Sequence, residues 1–116
     1  MKDSEYLGGC ILPGIDLSIV SLFKGTEKLP KIHFKKPDSI LGNNTISQIT
    51  AGIYYTYIGG IERLVDEYKD ILTDPFVIST GGNGKAISEA TKNIDIYIPK
   101  LNLCGIFTFS KKFIKK

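Results

Sequence analysis

Between Thr45 and Ile71, apolar residues recur at steps of three and four: Ile46, Ile49, Ile53, Tyr57, Ile61, Leu64, Tyr68 and Ile71. That is the period of an α-helix with one face turned to a core. A strand cannot gather this set on one side, because its side chains alternate across the sheet. The spacing predicts one long helix over about Thr45 to Ile71. Thr45-Ile46-Ser47-Gln48 has the pattern of a capping box, with Thr45 as N-cap. Gly52, Gly59 and Gly60 interrupt the helix. A glycine in a helix interior costs about 1 kcal/mol relative to alanine. Gly52 and Gly59 are seven positions apart and share a face. This points to another element packed very close there, from the same chain or from a partner.

Shorter elements flank the helix. Tyr6 to Leu12 reads as a strand whose glycines, Gly8 and Gly9, allow close backbone approach. Pro13-Gly14 ends it. A helix is expected from about Asp16 to Phe23, with Ile15, Ile19, Leu22 and Phe23 on one face, stopped by Lys24-Gly25. Lys31 to Phe34 reads as a short strand. Phe76 to Thr80 reads as a buried-type strand, Lys85 to Thr91 as a helix, Ile94 to Ile98 as a strand and Leu101 to Phe113 as a last helix. Alternating strands and helices predict an α/β or α+β domain. With 116 residues there is room for one compact domain and one core. That is small for an enzyme enclosing two substrates, whose sites usually lie between domains.

Motif chemistry excludes more than it assigns. Gly82-Asn83-Gly84-Lys85 follows a strand, as a phosphate loop would. A Walker A loop needs a glycine where Ser79 stands and Ser or Thr where Ala86 stands, so that reading fails. The dinucleotide fingerprint fails at Ile87. What is left is a glycine-rich turn between a strand and a helix, most simply a tight structural turn, with the capacity to offer N–H groups to an anion or a sugar. Gly42-Asn43-Asn44-Thr45 is a loop leading into a helix start. Capping accounts for Thr45, and a ligand-binding hydroxyl is the alternative. His33 lies between Ile32 and Phe34 with no nucleophile motif nearby, and is read as structural. Asp16, Asp66, Asp70 and Asp74 have no partner at fixed spacing and are read as solvated.

Net charge is +3, and Lys111, Lys112, Lys115 and Lys116 carry much of the excess in a solvated tail. No nucleic-acid partner is expected from so short a basic stretch. Cys10, Cys104 and His33 cannot supply a four-ligand zinc site. No apolar run approaches the roughly 20 residues of a membrane span. No signal-peptide region stands at the start. A reducing cytoplasm with free cysteines is expected.

A set of ordered motifs goes further. Gly8-Gly9-x-Ile11-x-Pro13-Gly14, Leu29-Pro30, Leu41-Gly42-x-Asn44-Thr45, Ala51-Gly52-Ile53, Thr80-Gly81-Gly82 and Leu101-x-Leu103-x-Gly105 together resemble the second half of type III pantothenate kinases. They run in family order from about Glu5 to Phe113. The resemblance implies a partial actin-like (ribonuclease H-like) α/β kinase domain, the whole of 1–116 being one incomplete domain equivalent to the family's second. It implies an ATP-dependent phosphotransferase acting on pantothenate in the first step to coenzyme A. Thr45 would match the pantothenate-binding threonine. Thr80, Gly81 and Gly82 would match a turn beside the adenosine. ATP with a divalent cation and a monovalent cation, K+ or NH4+, would be the cofactors. A homodimer or a complementing amino-terminal half would be the protein partner, and the glycine face of the long helix would suit such packing.

The family's DxGNT, GxDR and DxGTAxT motifs do not occur in this sequence. Phosphoryl transfer needs positioned phosphates, neutralised charge and an oriented nucleophile. No catalytic residue and no metal ligand is therefore assigned. The expectation is a carboxy-terminal fragment, inactive alone, lacking its first strand and the whole amino-terminal domain, with an exposed edge beside Tyr6 to Leu12. The alternative is a non-catalytic binding domain that keeps the kinase fold.

Overall fold

A computed structural model describes residues 5–23 and 30–101. Five elements follow one another: α1 (Ile15–Ser21), α2 (Thr45–Ile71), β1 (Ile78–Ser79), α3 (Gly84–Ala90) and β2 (Ile96–Tyr97). The chain is a mixed helix and strand protein, as the alternating elements predict. The expected last helix lies outside the described residues beyond Leu101, as do Lys24-Gly25, Cys104 and the lysine tail.

The long helix forms over Thr45–Ile71, the span its periodicity predicts. Its cap differs by one residue. Asn44 is the N-cap, in extended conformation, and its side chain accepts from the Ser47 amide while the Ser47 hydroxyl accepts from the Asn44 amide. The reciprocal pair is therefore Asn44 and Ser47, and Thr45 is the first helical residue. Asparagine caps at least as well as threonine, so Asn44 takes the position.

The apolar pattern of α2 proves to be two patterns. Ile49, Ile53, Tyr57, Ile61, Leu64 and Tyr68 are half-buried, and Ile46 and Ile71 are exposed. This stripe turns toward α1 and residues 9–13. Tyr57 donates its hydroxyl to the Pro13 carbonyl and receives that of Ser18 at 2.6 Å. Tyr68 donates to Cys10 Sγ at 3.3 Å, which raises the Tyr68 pKa above its ordinary value. The buried positions of α2 are Thr50, Ala51, Ile58 and Val65. Tyr54, Ile58, Glu62 and Val65 recur at helical spacing on a second face. Tyr54 there borders a cavity shared with Ala86, Glu89 and Ala90 of α3. Both long sides of the helix are thus occupied.

Residues 77–98 build a small parallel unit on that second face. Ile78 pairs with Ile96 and Ser79 with Tyr97, and α3 is the crossover between them. The Asp95 amide donates to the Val77 carbonyl at 2.9 Å and the Ile98 amide to the Ser79 carbonyl at 3.0 Å. The Val77 amide in turn donates to the Asp95 carboxylate at 2.7 Å. Gly84 is buried against the Tyr97 ring, and a Cβ built there would stand 2.9 Å from a ring carbon.

Two expected strands are absent. Tyr6–Leu12 and Lys31–Phe34 form no ladder among the described residues, because neither lies beside another strand. Tyr6, Leu7, Ile11 and Leu12 expose their side chains, Ile11 fully. None of the described residues makes the close approach expected at the helix glycines. A Cβ at Gly52, Gly59 or Gly60 would meet nothing within 4 Å among the described residues. Gly52 and Gly60, with Ile49, Ile53, Thr56 and Ile61, instead line an open apolar groove of about 550 Å³ beside α1.

These contrasts fix opposite signs for two alanine substitutions. Gly84→Ala drives a methyl into Tyr97 and is expected to cost about 1–3 kcal/mol. Gly52→Ala adds helix propensity in open space and is expected to gain up to about 1 kcal/mol. Urea unfolding of the two variants checks both, and equal costs would contradict the packing.

Candidate functional site

Two separate places carry the residues singled out from sequence. The first is the start of α2. Thr45 is exposed there, and its hydroxyl makes no hydrogen bond among the described residues. The capping role expected for it belongs to Asn44, which leaves the Thr45 hydroxyl available. The approach is rigid. The Asn43 and Asn44 amides both donate to Ser47 Oγ, at 3.0 and 3.1 Å. Gln48 donates its side-chain amide to the Gly42 carbonyl at 3.3 Å. Gly42 lies so close to the first turn that a Cβ would stand 2.5 Å from the Gln48 nitrogen. No other residue type fits that crossing.

A polar cavity of about 430 Å³ opens at this helix start, with Lys35, Lys36, Ser39, Asn43, Asn44 and Ser47 in its wall. Thr45 itself is not part of the wall, although Asn44 and Ile46 on either side of it are. Two lysines against one aspartate, Asp38, give the cavity a positive balance.

The second place is the turn after β1. Thr80 is half-buried, and Gly81 and Gly82 are exposed. Gly81 has φ +92°, a conformation that side chains disfavour. Its carbonyl accepts from the Gly84 amide at 3.1 Å, closing the turn into α3. Gly82 has open space around it. The glycines therefore divide: Gly81 is required by backbone geometry and Gly84 by packing, while neither reason applies to Gly82. None of the cavities at α1, at the start of α2 or at the Lys35–Lys36 loop is lined by Thr80, Gly81 or Gly82. Thr45 and the turn stand on different elements, the first turn of α2 and the loop between β1 and α3.

The aspartates read as solvated, Asp16, Asp66, Asp70 and Asp74, lie at the surface, while His33, read as structural within a short strand, is exposed and in no strand. Cys10 is a free thiol. Among the described residues no three His, Cys, Asp or Glu side chains gather in a way that could hold a metal ion. No helix among them is long and apolar enough to cross a membrane. Sequence reasoning missed Glu62, which accepts a hydrogen bond from Thr91 at 2.7 Å. The two residues are 29 positions apart, and nothing in their local pattern links them.

The cap assignment has a direct test. Asn44→Ala is expected to lower stability by about 1 kcal/mol, and Thr45→Ala to stay within about 0.5 kcal/mol of the parent. Equal losses in thermal unfolding would return the cap to Thr45.

Comparison with known proteins places the chain. A sequence model of the family described as type III pantothenate kinase matches residues 1–67. A type III pantothenate kinase of Fusobacterium nucleatum is 42% identical over 112 residues, covering 96% of this chain and 44% of the relative. One of Bacillus cytotoxicus is 43% identical over 107 residues, covering 91% and 41%. One of Agathobacter rectalis is 39% identical over 117 residues, covering 99% and 45%. The chain spans under half the length of these relatives. On this similarity, it belongs to the type III pantothenate kinase family.

Proposed function

We propose that this chain supplies the acceptor-binding and adenosine-side portion of a type III pantothenate kinase, the ATP-dependent phosphotransferase that opens coenzyme A synthesis. The observation that carries the reading is 42% identity to such a kinase across 96% of the chain. In this reading the fold is part of an actin-like kinase domain. Thr45 binds pantothenate, with its hydroxyl free beside the polar cavity at the α2 start. Thr80, Gly81 and Gly82 form the adenosine-side turn, where Gly81 at φ +92° sets the bend and the small exposed Gly82 leaves the backbone open to a ligand.

Phosphoryl transfer requires positioned phosphates, charge neutralisation and an oriented nucleophile. These fall to the length of the relatives that this chain does not span, so the chain is inactive alone. The divalent cation and the K+ or NH4+ ion supply charge neutralisation at the phosphates. The described residues offer no acidic cluster for them. The protein partner is a second copy or a complementing amino-terminal portion, and the open groove along Gly52 and Gly60 is a face suited to it. The setting is cytoplasmic.

Reconstitution tests this. The chain alone is expected to form no phosphopantothenate from ATP and pantothenate. Mixed with the amino-terminal portion of the Fusobacterium nucleatum relative, it is expected to do so. Thr45→Val is then expected to raise the KM for pantothenate roughly tenfold or more, the cost of one lost hydrogen bond in a closed site. A verified complex with no activity, or an unchanged KM in Thr45→Val, would sink the assignment.

A further inference from the structure

We infer that Glu62 is a positioning residue: through Thr91 it holds the Thr80–Gly82 turn in place against the long helix. The inference deepens the proposed function and rests on reading that turn as the adenosine side of the site. The geometry begins at Thr91, which follows α3 and is 8% exposed. Its hydroxyl donates to Glu62 Oε2 at 2.7 Å and accepts from the Asn93 amide at 3.2 Å. Asn93 also reaches the Glu62 carbonyl, at 3.5 Å. Both hydrogen-bonding capacities of a nearly buried hydroxyl are thus used, one of them on a charged acceptor, which makes the stronger kind of bond.

Among the described residues, the hydrogen bonds that join α2 to the 77–98 unit all run through Glu62. The unit itself is internally tied. The Ser79 hydroxyl donates to the Gly84 carbonyl at 3.0 Å, Gly84 rests on the Tyr97 ring, and the strands pair on either side of α3. These contacts link the turn through α3 to the Thr91 end. That end is pinned, and the glycine turn lies at the opposite end of α3, about 10 Å away for seven residues at 1.5 Å each. The pin therefore sets where the turn sits relative to α2. Glu62 touches no ligand in this arrangement, and its effect passes entirely through Thr91 and Asn93.

The test compares the full chain with Glu62→Ala, Glu62→Gln, Thr91→Val and Thr91→Ser. Hydrogen exchange is read at the Gly84 amide, which closes the turn onto the Gly81 carbonyl, and ATP binding by titration calorimetry of the chain joined to the amino-terminal portion of the Fusobacterium nucleatum relative. Glu62→Ala and Thr91→Val are expected to speed exchange at the turn about tenfold, while amides in the first half of α2 stay within about twofold. ATP binding should weaken roughly three- to tenfold in the same two variants. Glu62→Gln keeps an acceptor oxygen and Thr91→Ser keeps the hydroxyl, so both should stay near the parent. Unchanged exchange at the turn in Glu62→Ala and Thr91→Val would overturn the inference. So would exchange rising by one factor throughout the chain, which is plain destabilisation. If the parent chain joined to that amino-terminal portion binds no ATP, the adenosine reading of the turn fails, and the exchange arm still decides whether Glu62 holds it.

Discussion

One helix has to satisfy two neighbours at once. On one side α2 meets α1 and the segment before it, where Tyr57 joins Pro13 and Ser18. On the other it meets the small parallel unit, where Glu62 joins Thr91. Neither neighbour could bury itself alone. The helix α1 has seven residues, too few to persist in water without packing. The sheet has two strands of two residues, which need a covering layer. Everything described therefore takes its place from the rod between them. The rod in turn relies on a cap in which Asn44 and Ser47 satisfy each other's amides.

That dependence explains what could be read from sequence. The span of α2 was legible because twenty-seven residues of periodic apolar spacing have no other solution. The strand, helix and strand after residue 75 were legible from their turn residues, though each strand is shorter than its apolar run. The stripe through Ile49, Ile53 and Tyr57 was legible too. The second stripe, through Ile58 and Val65, was hidden: both faces are apolar, and the eye follows the denser one. The cap was misplaced because Asn44 and Thr45 are adjacent, and both residue types cap. The strands at Tyr6–Leu12 and Lys31–Phe34 show the limit of local pattern. A strand exists only where another lies beside it, and no run of residues carries that information.

The candidate site divides along the same line. Thr45 stood out by resemblance, and the structure leaves its hydroxyl unoccupied by capping. Gly81 is explained by its backbone angle, and Gly84, outside the motif, by a tyrosine ring. Glu62 and Thr91 had no local signal, since a tertiary hydrogen bond between distant residues leaves none. Thr45 and the glycine turn stand on different elements.

The groove along Gly52 and Gly60 has a thermal consequence. Its walls are mostly apolar, so the water in it is held poorly. Release of such water is driven by entropy near room temperature and carries a negative heat-capacity change. The drive weakens on cooling. Anything that closed over this face would hold more firmly in the warm than in the cold.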